Sequence, residues 1–243
     1  MFTVVDQELE VFLKPTFFIN SDSEAITDYT KAICNDSMSD VEKAIALFYA
    51  VRDDIKYDLF GYEMNPNYMQ ASYILEKGSG YCVSKSIVFA ACARAAGVPC
   101  RLGFADVVNH LNPGRLHEFM RTNIFAFHGY AELLLDGRWV KATPSFDARL
   151  CEKAGYFKPE FDGYNDTTYP AFNKAGQRHM EYISYYGSYS DVPVEDLLAS
   201  VHRHYPHFCG DSGLTVEMLF NEAKLDYQTI IAESDIIHTP YIN

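Results

Sequence analysis

The chain has 243 residues, enough for one sizeable core, and 48% hydrophobic with 22% charged residues is an ordinary globular balance rather than a disordered one. A net charge of −13 with no offsetting Lys/Arg cluster argues against nucleic acid and anionic membrane surfaces as partners, since both reward basic patches. No basic segment followed by an apolar core opens the sequence, and no run approaches the ~20 apolar residues that span a bilayer, so a cytoplasmic location with six reduced cysteines is expected.

The stretch LEVFLKPTFFI, interrupted by Pro15, predicts one or two short strands. A short helix is expected over 24–34. Ser39-Asp40-Val41-Glu42 forms a capping box, and the apolar residues 41, 44, 45, 48 and 51 then make one helical stripe. Residues 57–69 are polar and aromatic, hence a loop, and Ser72 is expected to cap a short helix stopped by Gly78 and Gly80. The run from Cys82 to Ala96 is small and apolar almost all round, which predicts a buried helix ending at Gly97. A strand follows over 98–108, then a polar loop with Pro113 and Gly114. Residues 124–135 and 138–143 form a hairpin around Asp136-Gly137, with paired residues summing to 273. Residues 155–190 predict an irregular excursion with one short strand near 179–185. Helices are expected over 194–204 and from Thr215 to about Asp226. Helices, a buried helix and then antiparallel strands describe an α+β fold.

Cys82 follows Gly80 by two residues and opens the buried helix. Unpaired helix N–H groups and the helix dipole favour a thiolate there and can hold an oxyanion. Cys92 and Cys100 fit the alternative of small buried hydrophobes. His128 begins the strand HGYAELLL, as a base for a nucleophilic thiol would.

Two stretches carry a family resemblance. GSGYCVSKSIVFAACARAAGVPCRLGF resembles the cysteine motif of the transglutaminase-like superfamily, and HGYAELLLDGRWVKATPSFD resembles its histidine motif. The resemblance covers about residues 40–150. It implies a papain-like arrangement in which the cysteine helix packs on an antiparallel sheet that presents the histidine. Cys82 then matches the nucleophile and His128 the general base and acid. The family's third residue, an Asp just before the Pro, is Thr143 here. Asp147 is the expected acid, after the Pro144 bend. Glu132 shares the face of His128 one pleat farther on, Gln70 is a candidate second oxyanion donor, and Tyr81 stands beside the nucleophile. A single domain over 1–243 is expected, with core motifs in 40–150 and residues 151–243 as an extension of it.

The reaction implied is cysteine-dependent acyl transfer on a peptide or protein amide: hydrolysis first, transamidation second. An impaired binding or scaffold module and an acyl-coenzyme A-dependent N-acyltransferase are the alternatives. No cofactor is indicated. His202, His204, His207 and Cys209 suit zinc by type but not by spacing, because Pro206 breaks the helix, so no metal site is expected. His110 and His117 fit an incidental loop role. Arg101 fits a structural ion pair, or else a carboxylate contact. Tyr57, Tyr62, Tyr81 and Tyr130 suit a cleft wall or the core rim.

Overall fold

The computed structural model describes residues 9–61, 63–210, 213–234 and 236–241. The capping box forms as the spacing requires: Ser39 Oγ accepts the Glu42 amide at 3.3 Å, and Glu42 accepts the Ser39 amide at 2.8 Å. It starts helix α2 (Asp40–Asp54), preceded by α1 (Glu24–Ile33) and followed by α3 (Ala71–Lys77), which Gly78 ends in the left-handed conformation at φ 66°. Gln70, rather than Ser72, sits at the start of α3, and Asn20 holds Ser72, accepting its amide through Oδ1 and donating to its Oγ through Nδ2.

Helix α4 (Cys82–Ala95) is the buried helix that its all-round apolar composition predicts. It packs against α1, α2 and α3 on one side and the sheet on the other. A short parallel pair, β1 (Lys56–Tyr57) and β2 (Ser79–Gly80), stands apart from the main sheet, which contains β3 (Cys100–Asn109), β4 (Ile124–Leu135), β5 (Arg138–Ala142), β6 (Met180–Tyr189) and β7 (His238–Thr239), all antiparallel, in the order β5-β4-β3-β6-β7. The Asp136-Gly137 turn has φ of 47° and 78°, as a two-residue hairpin demands. Its register is Ala131↔Ala142 through Leu135↔Arg138, the pairing read from the sequence.

Several elements depart from expectation. Residues 9–14 form a helical turn with local bonds such as Phe12 N to Leu9 O at 3.0 Å, and no strand is formed there. The Pro113-Gly114 loop holds a helix, α5 (Gly114–Met120), and Asp147 caps another, α6 (Ala148–Ala154). The short strand near 179–185 is the ten-residue β6, which runs beside β3 inside the sheet. Helix α7 (Val194–His204) agrees with the sequence, and α8 (Val216–Glu222) is shorter than expected, capped by Thr215. A further helix, α9 (Tyr227–Ser234), was not predicted.

Candidate active site

Cys82 is the first residue of α4, preceded by the extended Tyr81. Two glycines make its position possible. A Cβ on Gly80 would lie 2.7 Å from the Ser84 Cβ, and one on Gly129 would lie 2.9 Å from the Val83 Cα. Only glycine lets strand β4 approach the first turn of α4 this closely. The backbone N–H groups of Gly129, Val83 and Cys82 itself lie near enough to the Cys82 sulphur to favour its thiolate. Ser86 Oγ donates to the Gly129 carbonyl at 3.1 Å, closing the same contact from the helix side.

Helix position alone predicts an acidic thiol. Instead the Cys82 pKa is pushed up to about 11, because burial outweighs the amide donors. The side chain is 6% exposed, so the thiol rests protonated.

His128 is aimed by a bulge. It pairs with Ala105, while Phe125 pairs with Val107, so Ala126 and Phe127 together face Asp106. Phe127 has φ 55°, a left-handed conformation rare for a bulky residue, and its amide is held by Asp106 Oδ1 at 2.9 Å. The imidazole is fully buried and tilted against the Tyr169 ring, centroids 4.6 Å apart. Its Nε2 lies 3.4 Å from the Tyr182 hydroxyl, and its Nδ1 has no hydrogen-bond partner. Burial lowers its pKa to about 3, so the ring rests neutral.

No hydrogen bond joins thiol and imidazole, yet they share surroundings. The amide of Gly129, the residue after His128, is close enough to the sulphur to favour its thiolate. Tyr169 and Tyr182 touch the imidazole, and both phenols also feel the Cys82 sulphur. Tyr57 and Tyr205 complete this ring of tyrosines around Cys82. The thiol also borders an apolar pocket of about 50 Å³ between Tyr57, Tyr81, Phe125, Leu197 and Tyr205.

The expected acid is corrected by the structure. Asp147 Oδ1 accepts the Leu150 amide at 2.9 Å as the cap of α6, and Oδ2 accepts the Tyr57 amide at 2.9 Å. Neither oxygen bonds His128. Aspartate at a helix start is drawn to the orphan amides there. Thr143 is fully buried, and its Oγ1 lies beside the Tyr182 hydroxyl. Glu132 is bound by Arg101 Nε at 2.7 Å and Ser188 Oγ at 2.8 Å, away from the imidazole. Arg101 thus takes the ion-pair role and stacks over Trp139 at 4.0 Å. The Gln70 amide nitrogen donates to the Phe17 carbonyl rather than to the site, and the Gly129 amide is the donor that sequence reasoning missed.

The remaining candidates separate. Tyr57 and Tyr81 line the Cys82 pocket, Tyr130 packs over Gly103, and Tyr62 lies outside the described residues. His202 and His207 bond the carbonyls of Leu214 and Phe119, while His204 approaches Asp106 at 3.9 Å. His110 pairs with Glu181 and His117 with Asn123. Among the described residues no cluster suits a metal ion, and no helix is long and apolar enough to cross a membrane.

Residues 27–144 match the core model of the transglutaminase-like superfamily. Among solved structures, a candidate cysteine protease from Cytophaga hutchinsonii is similar at 14% identity and a TM-score of 0.46, over 76% of this chain and 59% of that one. A candidate protease from Parabacteroides distasonis is similar at 15% identity and a TM-score of 0.36, over 57% of this chain and 25% of that one. The chain therefore spans about three fifths of the first and a quarter of the second. No curated protein matches it. Residues 27–144, which hold both the Cys82 helix and the His128 strand, are thus the transglutaminase-like part of the chain.

Proposed function

We propose that the chain, read as one domain, is a cysteine-dependent acyl-transfer enzyme acting on a peptide or protein amide. One observation supports this above the rest: Gly129, the residue after His128, lies against the first turn of the Cys82 helix, where an added Cβ would come 2.9 Å from the Val83 Cα, so helix start and strand meet beside the thiol. The thiol gives its proton to His128 as sulphur bonds the amide carbonyl. The N–H groups of Cys82, Val83 and Gly129 are the donors available to the oxyanion. Collapse breaks the C–N bond, and the leaving amine takes the proton from His128. Water, or a second amine, then attacks the thioester with His128 again receiving the proton, which frees an acid or a new amide and restores the thiol.

The neutral resting pair and Thr143 in the acid's place favour a second reading, a module that keeps the fold without the chemistry. Alkylation of single thiols by iodoacetamide, followed across pH by mass spectrometry, separates the two. The enzymatic reading expects Cys82 to react faster than Cys92 or Cys100, both fully buried, and to slow in His128→Ala. Equal rates in the parent and His128→Ala would show that the imidazole takes no part. Acylation of Cys82 on incubation with an acyl-coenzyme A would instead mark a thioester donor.

A further inference from the structure

The pocket that borders the Cys82 sulphur has a chemical character of its own, and it limits what can be joined there. We infer that the acyl group handed to Cys82 carries an uncharged aliphatic side chain, about the size of valine or leucine, and that Leu197 and Val201 set this limit. The inference rests on the acyl-transfer reading above and names the substrate class of that same site.

Cys82 lines this pocket together with Tyr57, Phe119, Phe125, Leu197 and Val201. None of the described residues along it is charged. Its side-chain polar groups are the thiol and three tyrosine hydroxyls. The Tyr205 hydroxyl is already engaged, accepting the Ala126 amide and donating to the Ile124 carbonyl, each at 2.7 Å. A charged substituent there would lose its water and meet no opposite charge, whereas each methylene buried favours binding about fourfold. A groove of about 640 Å³ does carry charge, through Lys158, Glu160, Asp166, Arg178 and Glu181, but neither Cys82 nor His128 lines it. The sulphur is therefore met from the apolar side.

Volume sets the upper limit. The pocket holds about 50 Å³. One water-sized group takes about 10–15 Å³ of such space, so roughly three to five of them fit. Valine and leucine side chains bring three and four carbons, and phenylalanine brings seven. Leu197 and Val201 stand one turn apart on the same face of α7, and both are buried. Trimming Leu197 to alanine would remove three carbons from this wall. Both residues lie beyond the stretch 27–144 that matches the family core. The C-terminal part of the chain therefore sets what the thiol of the core accepts.

The test acylates the full chain with the p-nitrophenyl esters of N-acetylated leucine, phenylalanine, glutamate and arginine. Sulphur bonds the ester carbonyl, the C–O bond breaks, and p-nitrophenol leaves with the thiol proton. Acyl-Cys82 is followed by peptide mass spectrometry, and each rate is divided by that of the same ester with free N-acetylcysteine. The leucine ester is expected to react roughly tenfold faster than the phenylalanine ester and roughly a hundredfold faster than the glutamate and arginine esters. Leu197→Ala should bring the phenylalanine rate up to the leucine rate, and Val201→Ala supplies the result if Leu197→Ala does not fold. Equal rates for the leucine and glutamate esters, with iodoacetamide alkylation still slowed in His128→Ala, overturn the pocket assignment and leave the acyl-transfer reading standing. A phenylalanine ester as fast as leucine in the parent overturns the size limit. Alkylation that ignores His128→Ala overturns the acyl-transfer reading, and this inference with it.

Discussion

Replacing His128 by phenylalanine should flatten the acid limb of the stability curve. The imidazole is fully buried, and its pKa falls from 6.5 to about 3 through burial alone. In the unfolded chain the same ring titrates near its ordinary 6.5. The folded form therefore excludes a proton that the unfolded form binds. Stability from this group is complete above about pH 6.5 and is lost as pH falls toward 3. At about 1.36 kcal/mol per pH unit, the whole depression is on the order of 5 kcal/mol, and roughly half of it falls in the first two pH units below 6.5. His179, pushed down to about 4 by burial, adds a similar slope of its own that the variant keeps. Phenylalanine preserves the ring against Tyr169, so the comparison isolates the proton. Urea unfolding at a series of pH values between about 4.5 and 7.5 measures both curves. The parent should lose roughly 2 kcal/mol more than His128→Phe across the two units below 6.5. Parallel curves would show that the imidazole titrates normally in the folded chain, and the claim of a dry, neutral base would be lost.

Two further outcomes follow from the packing. Gly129→Ala places a Cβ 2.9 Å from the Val83 Cα, a backbone atom that cannot swing aside, so strand and helix must part. A loss of about 1–3 kcal/mol in urea unfolding is expected, and an unchanged midpoint would mean that the two elements do not meet so closely. Asp147→Ala removes the cap of α6 and the acceptor of the Tyr57 amide, for a loss of about 1–2 kcal/mol. The His128 tautomer should stay as in the parent, and a change in its NMR signal would return Asp147 to the site.

Local signals in the sequence were enough to define much of this molecule. The capping box of α2, the all-apolar α4 and the Asp-Gly hairpin each depend on residues a few positions apart, so the hairpin register can be counted from the sequence alone. Cys82 and His128 were legible for the same reason, since each sits inside a short motif. The reading of LEVFLKPTFFI as strands went wrong because apolar content alone does not distinguish a strand from a buried turn, and the backbone there bonds locally.

Tertiary structure decided the rest. Sequence placed Asp147 within reach of the imidazole, but a helix start competes for the same carboxylate and holds both oxygens. Position at a helix N-terminus predicted an acidic thiol, but the pKa depends also on how much protein covers the sulphur, which no local pattern reports. Tyr182 lies 54 residues from His128 in the chain, on a strand whose many tyrosines give no sign of which one will face the ring. Which hydroxyl arrives at an imidazole nitrogen is settled by strand order and by bulges, and those exist only once β6 has paired with β3.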